Sequence, residues 1–375
     1  MLNLDFTEEQ DMLRDMVRGV CQQAAPLEKV RELEDDPDGV ARELWQQFGE
    51  LGVNGLMVPE EHGGSGMTML EGVVIYEELG RALAPVPHFE SCVLAAGALV
   101  RAGSGQQQAD LLPGIASGDT IITPAWLEPG NGYSPKGVQL TATVDGDDVV
   151  LDGTKMHVTF AQAADQLLVL ARTGEADTDI DLFLVPTDTA GVTLDQRMSI
   201  ASDTQFRVEF AGVRIPVANR LGEAGTGWAT WDEVMLEAVI LASAQAMGGA
   251  DYALDITAEY SKDREQFDKA LAEFQAISHY LADARTELDG GKMLVYEAAW
   301  AHSRGHDLAR LSPMAKLFTG KVYRDITAMA QQVFGGVGFT LDYDIQLYFR
   351  RAKQLQLNWW DSATCEERIA DQVLA

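Results

Sequence analysis

Apolar residues recur at helical spacing near the start of the chain. Thr7 and Gln10 form a capping-box pattern ahead of Met12, Leu13, Met16 and Val17, which predicts a helix beginning beside Thr7. A second run, Leu44 to Leu51, ends at Gly52. The glycine-dense Val58-Pro59-Glu60-Glu61-His62-Gly63-Gly64-Ser65-Gly66 is then a loop. Helical spacing resumes near Leu70 and continues to Leu83, where Ala84-Pro85-Val86-Pro87 stops it.

From about Gly118 the period changes to that of strands. Gln139 to Val144, Val149 to Leu151, Leu167 to Leu170, Ile180 to Val185 and Arg207 to Phe210 are β-type runs. Asp145-Gly146 and Asp152-Gly153 read as hairpin punctuation between them. After Gly222 long helical patterns return. Trp228 to Ser261 carries one apolar stripe and Phe274 to about Leu288 another, and Ser312-Pro313 reads as an N-cap followed by a first-turn proline. Helices, then strands, then helices predict an α+β protein with segregated layers, divided as 1–118, 119–222 and 223–375.

Composition narrows the function classes. Lys+Arg 28 against Asp+Glu 58 leaves a net charge of −30. That excludes a phosphate-binding nucleic-acid surface as the main task and argues against docking on anionic lipid. The stretch from Met1 has neither the basic head nor the apolar run of a signal peptide, and no apolar run reaches the length of a membrane helix. A cytoplasmic location is the expectation. Cys21, Cys92 and Cys365 are too scattered for a disulfide framework or a zinc site. His302 and His306 lie four apart with no third ligand nearby and read as solvated histidines, so no metal is expected. Neither a Rossmann or P-loop glycine pattern nor a Gly-x-Ser-x-Gly elbow is present.

Chemistry concentrates in a few ordered segments. Val58 to Gly64 leads to Glu77-Glu78-Leu79-Gly80-Arg81. Gly153-Thr154-Lys155-Met156-His157-Val158-Thr159 precedes Ala164-Asp165. Tyr260-Ser261-Lys262-Asp263-Arg264-Glu265-Gln266-Phe267 is followed by Phe274-Gln275, His279 to Asp283, and Gln332-Val333-Phe334-Gly335-Gly336-Val337-Gly338. In this order the segments resemble the acyl-CoA dehydrogenase family across essentially the whole chain. The Arg-x-Gln-Phe pattern paired with Gln-x-x-Gly-Gly-x-Gly is the specific part.

The resemblance implies an N-terminal helical domain, a middle β-barrel domain and a C-terminal helical bundle, with FAD as cofactor. It implies that Arg264, Gln266 and Phe267 hold one side of the dinucleotide. Gln332, Gly335 and Gly336 would hold the other across a subunit interface, in a dimer or dimer of dimers. An arginine neutralises pyrophosphate, and glycines let backbone N–H groups approach it. Thr159 falls where a hydroxyl meets the flavin N5 edge, His157 where a ring packs beside the isoalloxazine, and Leu127 where a threonine usually meets the flavin. The implied reaction is α,β-dehydrogenation of an acyl-CoA thioester, with electrons passed to an electron-transfer flavoprotein. Alternatives of the same fold are a non-catalytic subunit of a heteromeric dehydrogenase and an oxygen-using flavoprotein.

Three positions depart from the family pattern. Asp268 replaces the glycine usual after Arg-x-Gln-Phe, and its carboxylate repels pyrophosphate unless turned to solvent. Leu127 lacks the usual hydroxyl. The carboxylate base that follows the Arg350-Arg351-Ala352-Lys353 stretch in many members is replaced by Trp359. Counting back from Arg264, the base position used by another branch is Ala238, with Glu237 beside it. Glu237 lies in an apolar stripe with Val234 and Leu241, where a carboxylate is costly without a partner or a task. The candidate bases are therefore Glu237 and, two residues past the usual site, Asp361, or none in this chain. The tail from Gly338 to Ala352 looks like the subgroup acting in bacterial steroid and related side-chain degradation, often built from unlike subunits.

Overall fold

The computed structural model describes residues 5–130 and 132–374. Its helices are α1 (Glu8–Ala24), α2 (Leu27–Glu32), α3 (Arg42–Glu50), α4 (Met69–Ala82), α5 (Ala96–Ala102), α6 (Gly105–Ser117), α7 (Gly227–Asp263), α8 (Gln275–Ser303), α9 (Leu311–Phe334), α10 (Ile345–Leu357) and α11 (Ser362–Leu374). The strands are β1 (Ile122–Ala125), β2 (Thr141–Asp145), β3 (Asp148–Thr159), β4 (Gln166–Arg172), β5 (Ile180–Pro186), β6 (Val192–Arg197), β7 (Gln205–Pro216), β8 (Arg220–Leu221), β9 (Glu265–Gln266) and β10 (Lys269–Ala270). Helices, sheet, then helices is the expected order. No helix among the described residues is long and apolar enough to cross a membrane.

Local signals set many boundaries. The Thr7 backbone N–H donates to Gln10 Oε1 at 2.9 Å while the Gln10 N–H donates to Thr7 Oγ1 at 3.2 Å, closing the expected box on α1. Two expectations differ. Ser312 is not an N-cap: α9 begins at Leu311, and the Ser312 hydroxyl is buried inside its first turn without a hydrogen-bond partner. Pro313 still costs no hydrogen bond there, because the first N–H groups of a helix lack intrahelical acceptors. Asp152-Gly153 is not a hairpin turn either. Gly146-Asp147 connects β2 to β3, pairing Asp145 with Asp148, but Gly153 lies inside β3 at a register shift against β7. A Cβ there would come within 2.9 Å of Leu140, at a φ of +146°. Gly153 serves close packing, not reversal.

By backbone proximity the chain groups into two units: 1–28, 68–84 and 239–375 in one, and 29–67 and 85–238 in the other. The first is helical. A Cβ on Gly248 would sit 1.8 Å from the carbonyl of Glu77, so glycine alone lets α7 approach α4 this closely. Buried Glu77 accepts from the Tyr296 hydroxyl and Arg14, while Arg18 clamps Glu78 with two hydrogen bonds, at 2.9 and 2.8 Å.

The second unit holds a mixed eight-stranded sheet, ordered β6-β7-β3-β2-β4-β5-β8 with β1 parallel to β4. Its core is apolar, with Val149, Leu151, Val158, Leu167, Phe183 and Phe206 among the residues that close it. Alternate positions of β7 point inward, as the period of two requires. β3 pairs β7 through a second register shift, between Lys155 and Val158. A bulge of this kind re-aims side chains, and it falls on Met156 and His157.

Candidate functional site

Within the sheet unit, an ion pair fixes the segment after β1 against β3. Lys155 is fully buried, and its Nζ donates to Glu128 Oε1 at 2.7 Å and to the Trp126 carbonyl at 3.2 Å. Burial pushes the Lys155 ammonium down to about 8, against the pull of Glu128. Glu128 Oε1 also accepts the backbone N–H groups of Gln139 and Leu140, each at 2.9 Å. Leu127 lies between these anchors, and its carbonyl accepts the Met156 N–H at 2.8 Å. Leu127 and the bulged end of β3 are thus tied into one ledge.

His157 sits in the bulge with a φ of +55° and is exposed. Its Nδ1 meets Gln205 Oε1 at 3.0 Å, and Gln205 Nε2 donates on to Asp203. Thr159 is buried at the strand's end. Its carbonyl accepts the Thr123 hydroxyl, and its own Oγ1 donates to Glu90 Oε1 at 2.7 Å. The sheet unit therefore carries Leu127, His157 and Thr159 along the bulged end of β3 and the segment bonded to it.

Sequence reasoning missed Glu90. It lies on a π-helical segment, His88–Ala95, in which every residue is buried. Short π segments concentrate at functional sites. A carboxylate inside the apolar run from Val86 to Leu99 was the available signal. Burial pushes its carboxyl up to about 7, with a smaller upward push from Asp203 and downward pulls from Thr159 and the backbone. Folded Glu90 thus holds a proton that the unfolded chain, titrating near 4.5, has released. Its contribution is fully present below about pH 4.5 and is lost as pH rises through about 7. Urea unfolding at about pH 5 and about pH 8 should show Glu90→Gln losing less stability on alkalinisation than the parent, by roughly 3 kcal/mol. Equal losses would remove Glu90 as the titrating group.

The helical unit holds the other expected residues. Arg264 follows the last turn of α7, and Gln266, Phe267 and Asp268 form the β9–β10 hairpin. Phe267 and Asp268 both have positive φ, +54° and +64°, as a two-residue reversal with the twist of a hairpin demands. Asp268 is exposed, so its carboxylate is solvated. Phe267 is 88% exposed. Tyr260, one turn before Arg264, stacks on Phe334 with centroids 4.1 Å apart. That brings the exposed Gln332 and the Gly335-Gly336 turn beside the end of α7 in the same chain. The resemblance had these two groups on opposite sides of the dinucleotide. A single chain presents both as one patch.

Taken by itself, this patch has the chemistry to take the pyrophosphate of FAD. Open space surrounds both glycines, and Gly335 has a φ of +66° and ψ of −141°, which a side chain would resist. Next to them, Gln331 buries its amide nitrogen and oxygen without hydrogen-bond partners. The Gly335 N–H already donates to the Gln331 carbonyl, so the donors the turn can offer begin at Gly336; together with the exposed Arg264 guanidinium they are of the kind that a pyrophosphate requires.

The candidate bases are less free than their sequence positions imply. Glu237 forms an ion pair with Arg101, so the lone carboxylate of the apolar stripe has a partner, and its side chain is 26% exposed. Asp361 Oδ1 accepts the Thr364 N–H at 2.9 Å, which caps α11. Trp359 and Trp360 have φ of +55° and +73° between α10 and α11, and Trp360 is buried beneath the Arg368 guanidinium.

Comparisons with known proteins match this architecture. Three family models match in succession: the acyl-CoA dehydrogenase N-terminal domain over residues 7–119, the middle domain over 124–213 and the C-terminal domain over 225–358. The probable acyl-CoA dehydrogenase YngJ of Bacillus subtilis is 30% identical, covering 100% of both chains. The caffeyl-CoA reductase-Etf complex subunit CarC of Acetobacterium woodii is 29% identical over 92% of this chain and 93% of its own. Among solved structures, the ChsE4-ChsE5 complex from Mycobacterium tuberculosis matches with a TM-score of 0.90 and 29% identity, covering 100% of this chain and 99% of that one.

Proposed function

This chain belongs to the acyl-CoA dehydrogenase family, an FAD-dependent oxidoreductase acting on CH–CH bonds, and from that premise we propose the roles of its residues and the route of its electrons. The substrate is an acyl-CoA thioester, dehydrogenated between Cα and Cβ in the cytoplasm, and the electrons pass to an electron-transfer flavoprotein. The naming of one relative as part of an Etf complex supports that acceptor. The segments 1–118, 119–222 and 223–375 act as the three functional domains.

When bound, FAD supplies an acceptor for the β-hydride. The chain's own residues do the rest. Leu127, His157 and Thr159 form the ledge for the flavin ring, held in place by the Lys155–Glu128 pair. The observation that carries this reading is the bulge in β3 at Met156 and His157, where the Met156 N–H meets the Leu127 carbonyl. Arg264, Gln266 and Phe267, together with Gln332, Gly335 and Gly336, take the dinucleotide, in a site completed across a subunit interface. Glu237 takes the α-proton, its carboxylate held ready by Arg101.

Arg264→Ala should remove a charge-assisted contact of about 1.5–3 kcal/mol to the pyrophosphate. The measurement is flavin absorbance per chain after purification, which should fall about tenfold or more under limiting FAD. Full flavin occupancy in that variant would reject the pyrophosphate assignment.

A second reading is favoured by the commitments of the carboxylates. Asp361 caps a helix, Glu237 pairs with Arg101, and Trp359 stands at the usual base position. In that reading the chain is the partner subunit of a heteromeric dehydrogenase and the base comes from the other subunit. Similarity to a complex named for two distinct proteins supports it. Its substrate class would be bulky acyl-CoA, as in steroid side-chain degradation.

A further inference from the structure

The single proton of the Thr159 hydroxyl is committed: Oγ1 donates to Glu90 Oε1 at 2.7 Å. A hydroxyl that donates in one direction offers only lone pairs in the others. Thr159 has no second hydrogen to direct toward a ligand at the ledge while Glu90 is a carboxylate. A protonated Glu90 reverses this, because its own O–H can donate to Oγ1 and release the threonine proton. We propose that Glu90 is a positioning residue that sets the direction of the Thr159 hydroxyl at the flavin edge, making Thr159 an acceptor there when Glu90 is ionised and a donor when Glu90 is protonated. The proposal rests on the assignment of FAD to the β3 ledge.

The geometry suits a switch between two discrete states. Glu90 is 6% exposed and Thr159 7%, so water does not compete for either group. The π-helical segment is anchored on both sides of Glu90. Ser91 Oγ accepts the Ile122 N–H at 3.1 Å, and the Ala96 N–H reaches back to the Ser91 carbonyl. The Thr159 backbone is held separately by Thr123 Oγ1 at 2.7 Å, so the hydroxyl can change its hydrogen-bond direction without moving the strand.

Burial chiefly sets the pH at which the switch turns, and the charged and titratable neighbours adjust it. Asp203, ahead of β7, faces Glu90 and disfavours its charge; it is itself held by Ser199 and by Gln205, which also meets His157. On Glu90's own segment, burial and Glu90 push the Cys92 thiol far up, so it stays neutral. His88, bonded to the Val53 carbonyl, is pushed down to about 4 by burial and is uncharged near neutrality. The carboxyl accordingly titrates near 7, where ordinary solution conditions reach both states.

The test uses the FAD-loaded protein in two measurements across about pH 5.5 to 8.5. Infrared spectroscopy follows the carboxylic-acid C=O band, and absorbance follows the flavin. We expect an acid band that disappears near pH 7, is missing in Glu90→Gln and is shifted in Thr159→Val. We expect the flavin spectrum and midpoint potential to change in the same step. Both Glu90→Gln and Thr159→Val should abolish that step, while Thr159→Ser, which keeps the hydroxyl, should retain it. A merely structural Glu90 would leave the flavin step in place. Persistence of the step in Glu90→Gln, or an infrared titration with no flavin response, overturns the inference while leaving the FAD assignment intact. A chain that binds no FAD, with the infrared titration still present, overturns the cofactor assignment and this role with it.

Discussion

Glu237→Gln is expected to slow reduction of the bound flavin by acyl-CoA roughly 10²–10⁴-fold, the loss typical when a general base is removed. The substitution keeps the size of the side chain and its capacity to accept a hydrogen bond from Arg101, so folding and flavin content should be preserved. Only basicity goes. Glu237 is the carboxylate next to Ala238, the position reached by counting back from Arg264, and about 100° of helix rotation separates neighbouring residues. The Arg101 ion pair fixes the carboxylate in one direction. Stopped-flow absorbance of the flavin under single turnover separates the outcomes. A normal rate in the Gln variant removes Glu237 from the mechanism. A parent chain that no acyl-CoA reduces until a second subunit is added places the base in that subunit.

Glu128→Gln should destabilise the fold by about 3–5 kcal/mol, the cost of leaving a buried charge without its partner. Lys155 has no exposed side-chain surface, so its ammonium cannot turn to water. Glutamine can still accept the N–H groups of Gln139 and Leu140, so the loss reports the charge rather than the backbone contacts. The double replacement Glu128→Gln with Lys155→Met should recover much of the loss, because no unpaired ion then remains. Urea midpoints of the parent and the two variants measure this. A single variant as stable as the parent would show that Lys155 sheds its proton at little cost. Flavin content should fall with stability in Glu128→Gln, since the pair ties Leu127 to β3.

The elements were legible wherever neighbouring residues decide them. Thr7 with Gln10 announced α1, and Asp145-Gly146 announced the β2–β3 reversal, because both act through bonds within a few residues. The same chemistry misled where distant packing intervened. Asp152-Gly153 resembles Asp145-Gly146 in sequence, but Gly153 and the two residues after it pair with Phe210, Glu209 and Val208 of β7, so the chain runs straight on. Ser312-Pro313 has the composition of a helix start, and the helix nevertheless begins at Leu311.

The candidate site divides in the same way. Period, glycine placement and the Arg264 and Gly335-Gly336 segments were enough to determine the layer order, the family resemblance and the residues expected around FAD. Only the tertiary structure decided what those residues touch. It gave Glu237 to Arg101 and the proton of Thr159 to Glu90, partners separated by 136 and 69 positions. Sequence patterns report preferences that act along the backbone. A buried carboxyl's charge, partner and proton depend on which groups from distant segments share its low-dielectric surroundings, and that follows from packing alone.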